Sequence, residues 1–86
     1  MNTNTYNGWT NYATWRIALE WFDAHNPFSY ERDSYELSKM LKEYVNESLE
    51  MEGCSDFILS YAQAFISEVN WFEIAQYLIE EEVENE

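Results

Sequence analysis

The sequence predicts an all-α fold, a compact bundle of about four helices around a central, aromatic-rich N-terminal helix. Three observations predict it. Apolar residues recur three and four positions apart through most of the chain, the spacing that places them on one helical face. A residue able to cap a helix stands ahead of each periodic run. Helix breakers are scarce, at two glycines and one proline, and Pro27 and Gly53 fall between the runs. No strand alternation or hairpin dipeptide is read, and a short strand pair near either terminus is left open. At 86 residues the chain makes one domain. Residues 1–10 read as a polar N-terminal arm and residues 11–86 as a single acidic helical domain.

The first helix is predicted from about Asn11 to Ala24, with Thr10 or Asn11 as its cap. Tyr12, Trp15, Ala18, Leu19 and Phe22 share one stripe, while Ile17 and Trp21 lie opposite. Arg16, Glu20 and Asp23 form the polar arc. A helix apolar on two sides has neighbours on both, which makes this one central. Tyr6 is expected to dock at the core, and His25-Asn26-Pro27 ends the helix because proline lacks an N–H. Phe28 and Tyr30 are expected to fold the following loop back over the core.

Asp33 and Glu36 have capping-box spacing ahead of a second helix, Ser34 to about Met51, with a start nearer Ser29 as the alternative. Leu37, Leu41, Tyr44, Val45 and Leu49 form its buried face. Glu36, Glu43, Glu47 and Glu50 lie in a narrow arc opposite, flanked only at its start by Lys39 and Lys42. Gly53 stops this helix. Ser55 caps a third that runs to about Val69. Its broad apolar face, Phe57, Ile58, Tyr61, Ala62, Phe65, Ile66 and Val69, and its narrow uncharged arc, Ser60, Gln63 and Ser67, predict a well-covered helix. Asn70 and Glu73 repeat the box spacing before a fourth helix that starts at Trp71. Trp71, Ile74, Ala75, Leu78 and Ile79 face inward, and Glu73, Glu80 and Glu84 face outward.

Charge is the strongest compositional signal. Seventeen acids face four bases, for a net charge of −13. Residues 1–43 hold six acids and all four bases; residues 44–86 hold eleven acids and no base. This excess disfavours direct binding to nucleic acid or to an anionic membrane and favours a basic protein surface or a divalent cation. An apolar fraction of 47% argues against disorder. The single Cys54 excludes an internal disulfide. No apolar run reaches the ~20 residues of a membrane span, and the start, MNTNTYN, lacks signal-peptide character. Cytoplasmic residence is the expectation.

Catalytic and cofactor signatures are weak. His25, the one histidine, sits beside the helix-breaking proline and reads as a loop residue, not a general base. Cys54 lies in the acidic half, away from the electropositive setting that activates a thiol. No phosphate loop, dinucleotide fingerprint or calcium loop is present. A zinc site from one His and one Cys is implausible. The chain therefore reads as a non-enzyme with no cofactor and no metal. A carboxylate-held metal in a small hydrolase is the distant third reading.

The acids themselves are arranged at a cost to folding. Glu43/Glu47 and Glu80/Glu84 are like-charge pairs at i, i+4, which weaken a helix. Glu80, Glu81, Glu82 and Glu84 sit at a helix C-terminus, where they oppose its dipole. Natural surfaces mix both signs, and the second half of this chain does not. Glutamates three or four residues apart on a helix are separated by ~4.5–6 Å of rise, loosely comparable with the ~3.4 Å charge spacing along a DNA strand. Two carboxylate stripes follow as candidate partner-binding sites: Glu36, Glu43, Glu47 and Glu50; and Glu73, Glu80, Glu81, Glu82 and Glu84.

Residues 7–22, NGWTNYATWRIALEWF, carry an Asn-Tyr-x-Thr-Trp core, Asn11-Tyr12-Ala13-Thr14-Trp15. This stretch resembles a set of short phage and mobile-element proteins. The resemblance covers about a fifth of the chain and implies phage origin, with Tyr12 and Trp15 as core residues. In charge and size the chain is similar to acidic phage DNA mimics that block restriction or CRISPR systems. That similarity implies an anti-CRISPR or anti-restriction inhibitor acting in the infected host's cytoplasm. Its partner would be a host nuclease or CRISPR effector with a basic nucleic-acid-binding surface. The rival reading is an assembly module, homodimeric or with another partner, using an exposed patch of Tyr6, Trp9, Phe28, Tyr30 and Tyr35.

Overall fold

The computed structural model describes residues 6–23, 25–53 and 55–84, with the side chains of Val83 and Glu84 left aside. The expectations for residues 1–5, Ala24, Cys54 and the Glu84 side chain lie outside the described residues. The described residues form four helices: α1 (Tyr12–Phe22), α2 (Ser34–Met51), α3 (Asp56–Ile66) and α4 (Trp71–Glu84). The all-α bundle predicted from the sequence is the fold observed. The largest interface joins α2 to α4. Helix α1 reaches all three others. It packs on α3 and α4 directly, and on α2 through Trp21 and Phe22, whose rings lie 6.2 and 6.3 Å from that of Tyr44.

One core results. Leu37, Leu41 and Val45 of α2 meet Ile74, Ala75 and Leu78 of α4, with Ile17 and Phe22 of α1 against them. The inward faces predicted for α2 and α4 are those buried. The buried stripe of α1 is rotated from the predicted one. Ala13, Thr14, Ile17, Ala18 and Phe22 are buried, while Tyr12 and Leu19 are exposed. The predicted two-sided pattern weighted large rings over small residues. The small residues Ala13, Thr14 and Ala18 take buried positions instead, and Tyr12 turns outward to accept a 2.6 Å hydrogen bond from Arg16 Nη1.

The helix starts explain the Asn11–Thr14 spacing. Asn11 caps α1: its Oδ1 accepts from Thr14 N (2.9 Å) and from Thr14 Oγ1 (2.7 Å). Thr14 Oγ1 accepts in turn from Asn70 N at 2.8 Å, and Asn70 Oδ1 caps α4 by accepting from Glu73 N at 3.1 Å. Asn11 Nδ2 donates to the Glu68 carbonyl at 2.9 Å. One buried hydroxyl therefore joins the caps of two helices. Neither predicted capping box closes reciprocally. Asp33 accepts from Tyr35 N and Glu36 N, but its own N–H goes to Glu31 Oε2. The Asn70 N–H is already taken by Thr14, which leaves the Glu73 carboxylate to accept from Thr10 N at 3.0 Å.

Two turns differ from expectation. Residues 6–9 close a tight turn, with Tyr6 N donating to Trp9 O (2.7 Å) and Trp9 N to Tyr6 O (2.8 Å). Asn7 (φ 49°) and Gly8 (φ 89°) are both left-handed, the backbone of a primed hairpin turn, for which Asn-Gly is the favoured dipeptide. The Asn7-Gly8 dipeptide is therefore the local sequence signal for this turn. The turn is docked, not free: the Tyr6 ring lies 5.1 Å from Tyr12 and 4.9 Å from Trp15. Helix α3 stops at Ile66, short of Val69, as its last bonds tighten to Glu68 N→Phe65 O and Val69 N→Ile66 O.

The molecule spans 42 × 37 × 20 Å. Its short dimension fits two helices of ~10 Å diameter, so a helix in it gains cover on one side. Helix α3 shows the consequence. Only Ile66 is buried within it; Phe57 is 70% exposed, Tyr61 67% and Ile58 56%. The predicted cover for α3 is absent because its apolar arc is wider than the neighbouring helices can span.

Thr14→Val keeps the side-chain shape but removes the donor to Asn11 and the acceptor for Asn70. We expect it to lower unfolding free energy by about 1–3 kcal/mol, against about 0.5–2 kcal/mol for Asn11→Ala. Urea denaturation monitored by circular dichroism measures both. A Thr14→Val protein as stable as wild type would remove the shared-cap account.

Candidate functional site

Helix α2 carries the first group of acids. Glu36, Glu43, Glu47 and Glu50 are all exposed. Glu36 is partly compensated, with Lys39 Nζ 3.5 Å from its Oε2, and the same ammonium lies 4.7 Å above the Tyr35 ring. Glu43, Glu47 and Glu50 continue beyond this pair toward the α2 C-terminus, where no basic residue occupies the last turn. This half of the helix is the densest exposed run of acids that α2 offers.

The acids of α4 do not form one stripe. Glu73 is half-buried and its carboxylate is occupied by the Thr10 N–H. Glu73 and Glu80 line a shallow groove of about 360 Å³ with Asn7, Gly8, Trp9 and Tyr77. Glu81 and Glu82 line a different groove, of about 310 Å³, with Phe22, His25 and Asn26. Tyr77 borders both grooves and lies 5.1 Å from Trp9. At ~100° per residue, successive acids 80, 81 and 82 necessarily fan around the helix. Asn26 Oδ1 accepts from Phe28 N at 3.0 Å, and its buried Nδ2 finds no hydrogen-bond partner among the described residues.

On α1 the one basic residue is paired. Arg16 Nε donates to Glu20 Oε2 at 2.6 Å. That hydrogen bond, followed by the one to Tyr12, raises the Arg16 pKa above its ordinary value. Among the described residues no group of three His, Cys, Asp or Glu side chains could hold a metal ion. No helix among them is long and apolar enough to cross a membrane.

The predicted aromatic patch divides. Tyr6 joins Tyr12 and Trp15; Phe28 joins Tyr30 and Tyr44, at 6.3 and 5.7 Å; Trp9 goes to Tyr77. A broad exposed apolar face lies instead on α3, on Phe57, Ile58, Tyr61 and Phe65 of the face expected to be covered. The absence of charge from Phe57 to Ser67 could not separate a covered helix from an unpartnered one. Comparison with known proteins gives no match: no family model fits the chain, and no curated protein or solved structure is significantly similar to it.

The geometry separates acids that hold the fold from acids that only add charge. Glu73→Ala should cost about 1 kcal/mol by freeing the Thr10 N–H, whereas Glu80→Ala should stay within about 0.5 kcal/mol of wild type. Glu47→Gln relieves the Glu43/Glu47 repulsion and should stabilise by about 0.2–0.5 kcal/mol. Chemical denaturation of the three variants tests this order. Equal losses for Glu73→Ala and Glu80→Ala would contradict it.

Proposed function

We propose that the protein is a non-catalytic, phage-encoded inhibitor of a host nucleic-acid-targeting defence system, of the anti-CRISPR or anti-restriction kind. It occupies the basic nucleic-acid groove of a nuclease or CRISPR effector in the host cytoplasm and imitates the backbone charge it excludes. The observation that carries this reading is the exposed run Glu43, Glu47 and Glu50 on α2, in the stretch 43–86, which holds twelve acids and no base. These carboxylates stand on a helix whose opposite face is fixed in the core by Leu41 and Val45. A rigid array loses little freedom when it binds, and its field speeds encounter with a cationic groove. Glu36, Glu80, Glu81 and Glu82 add to the field, while Glu73 serves the fold first. A second reading, a protein-interaction module, is favoured by the exposed α3 face.

The test is capture of host proteins by the tagged chain at low and then high salt, followed by inhibition assays on what is captured. A nuclease or effector retained at low salt and released by salt supports the mimic. Reversal of Glu43 and Glu47 to Lys should weaken that inhibition roughly tenfold or more and leave the helical signal unchanged. Undiminished inhibition by the folded double variant would assign the α2 stripe to solubility.

A further inference from the structure

We infer that the exposed ring face of α3 is a homodimer interface, closed by the same face of a second copy. At ~100° per residue, α3 divides into three arcs. Leu59, Ala62 and Ile66 turn toward the bundle, and Ser60, Gln63 and Ser67 form an uncharged polar arc. Phe57, Ile58, Tyr61 and Phe65 fall together in the third arc, and all four are exposed. The patch is continuous. The Phe57 and Tyr61 rings are 5.0 Å apart, and Phe65 lies 6.3 Å from the exposed ring of Tyr12 on α1.

Charge selects the occupant. Two copies of a chain with net charge −13 repel one another over most of their surface. Residues 57–67 carry no charged side chain at all. This is the face on which a second copy can approach closely, and it offers nothing to a partner selected by basic charge. Rings at i, i+4 and i+8 make a ridge that matches its own copy across a two-fold axis. The area is also adequate. With ~150–250 Å² for a whole aromatic side chain, the exposed fractions of these four residues and Tyr12 amount to roughly 500 Å² per copy. Complete burial of these fractions in two copies removes roughly 1,000 Å² of apolar side chain from water, the size of a weak, reversible interface. The exposed Ser60, Gln63 and Ala64 supply its rim.

Sedimentation equilibrium of the full chain over a concentration series gives the test. Wild type should exceed the monomer mass of 10.4 kDa and approach twice that value, with a dissociation constant on the order of micromolar. Salt should tighten the dimer, because it screens repulsion between the copies; capture of a basic partner responds to salt in the opposite direction. Phe57→Ser combined with Tyr61→Ser should return the protein to monomer with its helical signal intact. Ile58→Asn alone, should the double variant unfold, should weaken the dimer about tenfold or more. A wild type that stays monomeric across the series overturns the inference. So does a dimer unaffected by folded α3 variants. Inhibition through the α2 carboxylates does not depend on the outcome, since Glu43→Lys/Glu47→Lys leaves the α3 face unchanged.

Discussion

The rest of the fold depends on the placement of one buried hydroxyl. Thr14 is fully buried, and its Oγ1 donates to the cap of α1 while accepting from the residue that caps α4. Burying a hydroxyl without partners is costly; here both hydrogen-bonding directions are used. The linkage fixes the N-terminus of α1 against that of α4 across 56 residues of sequence. With that end fixed, Ile17 and Phe22 are carried into the α2–α4 interface. The Glu73 carboxylate, displaced from its own cap, is left to hold the Thr10 N–H above it.

The same geometry limits what the bundle can cover. A body 20 Å thick has room for two helical layers. Helices α2 and α4 use their apolar faces on each other, and α1 covers them. Helix α3 packs against α1 and α2 through Ile66 and its immediate neighbours, and its remaining rings have no helix left to cover them. Apolar surface is in surplus on α3, as charge is in surplus on α2 and on the end of α4. The two surpluses lie on different elements. Electrostatic capture of a cationic groove and self-association through rings can therefore coexist in one small chain, because neither needs the residues of the other.

The acids show how position decides the role of one residue type. Glu20 pairs with Arg16 and Glu36 with Lys39. Glu73 is a hydrogen-bond acceptor within the fold. Glu43, Glu47 and Glu50 are exposed beyond the last lysine of α2, where mutual repulsion opposes helix formation. A folded domain tolerates that repulsion because burial of Leu37, Leu41, Val45 and Ile74 outweighs it. Counting acids in the sequence gives the strength of the field but not which carboxylates are free to present it.

The sequence by itself determined the helices. The periodicity of Leu37, Leu41 and Val45, the caps Asn11, Asp33, Ser55 and Asn70, and the break at Gly53 act over one or two turns of chain, so their effect is local and legible. The Asn7-Gly8 turn was equally local and could have been read from the same residues. Tertiary structure alone decided which faces were covered. The rotation of α1 toward Ala13 and Thr14, the diversion of Glu73 to Thr10 and the exposure of Phe57 and Tyr61 all depend on which helix approaches from where. An apolar arc records that a face could be buried. Only the finite number of neighbouring helices, and the close approach that small residues permit, determines whether it is.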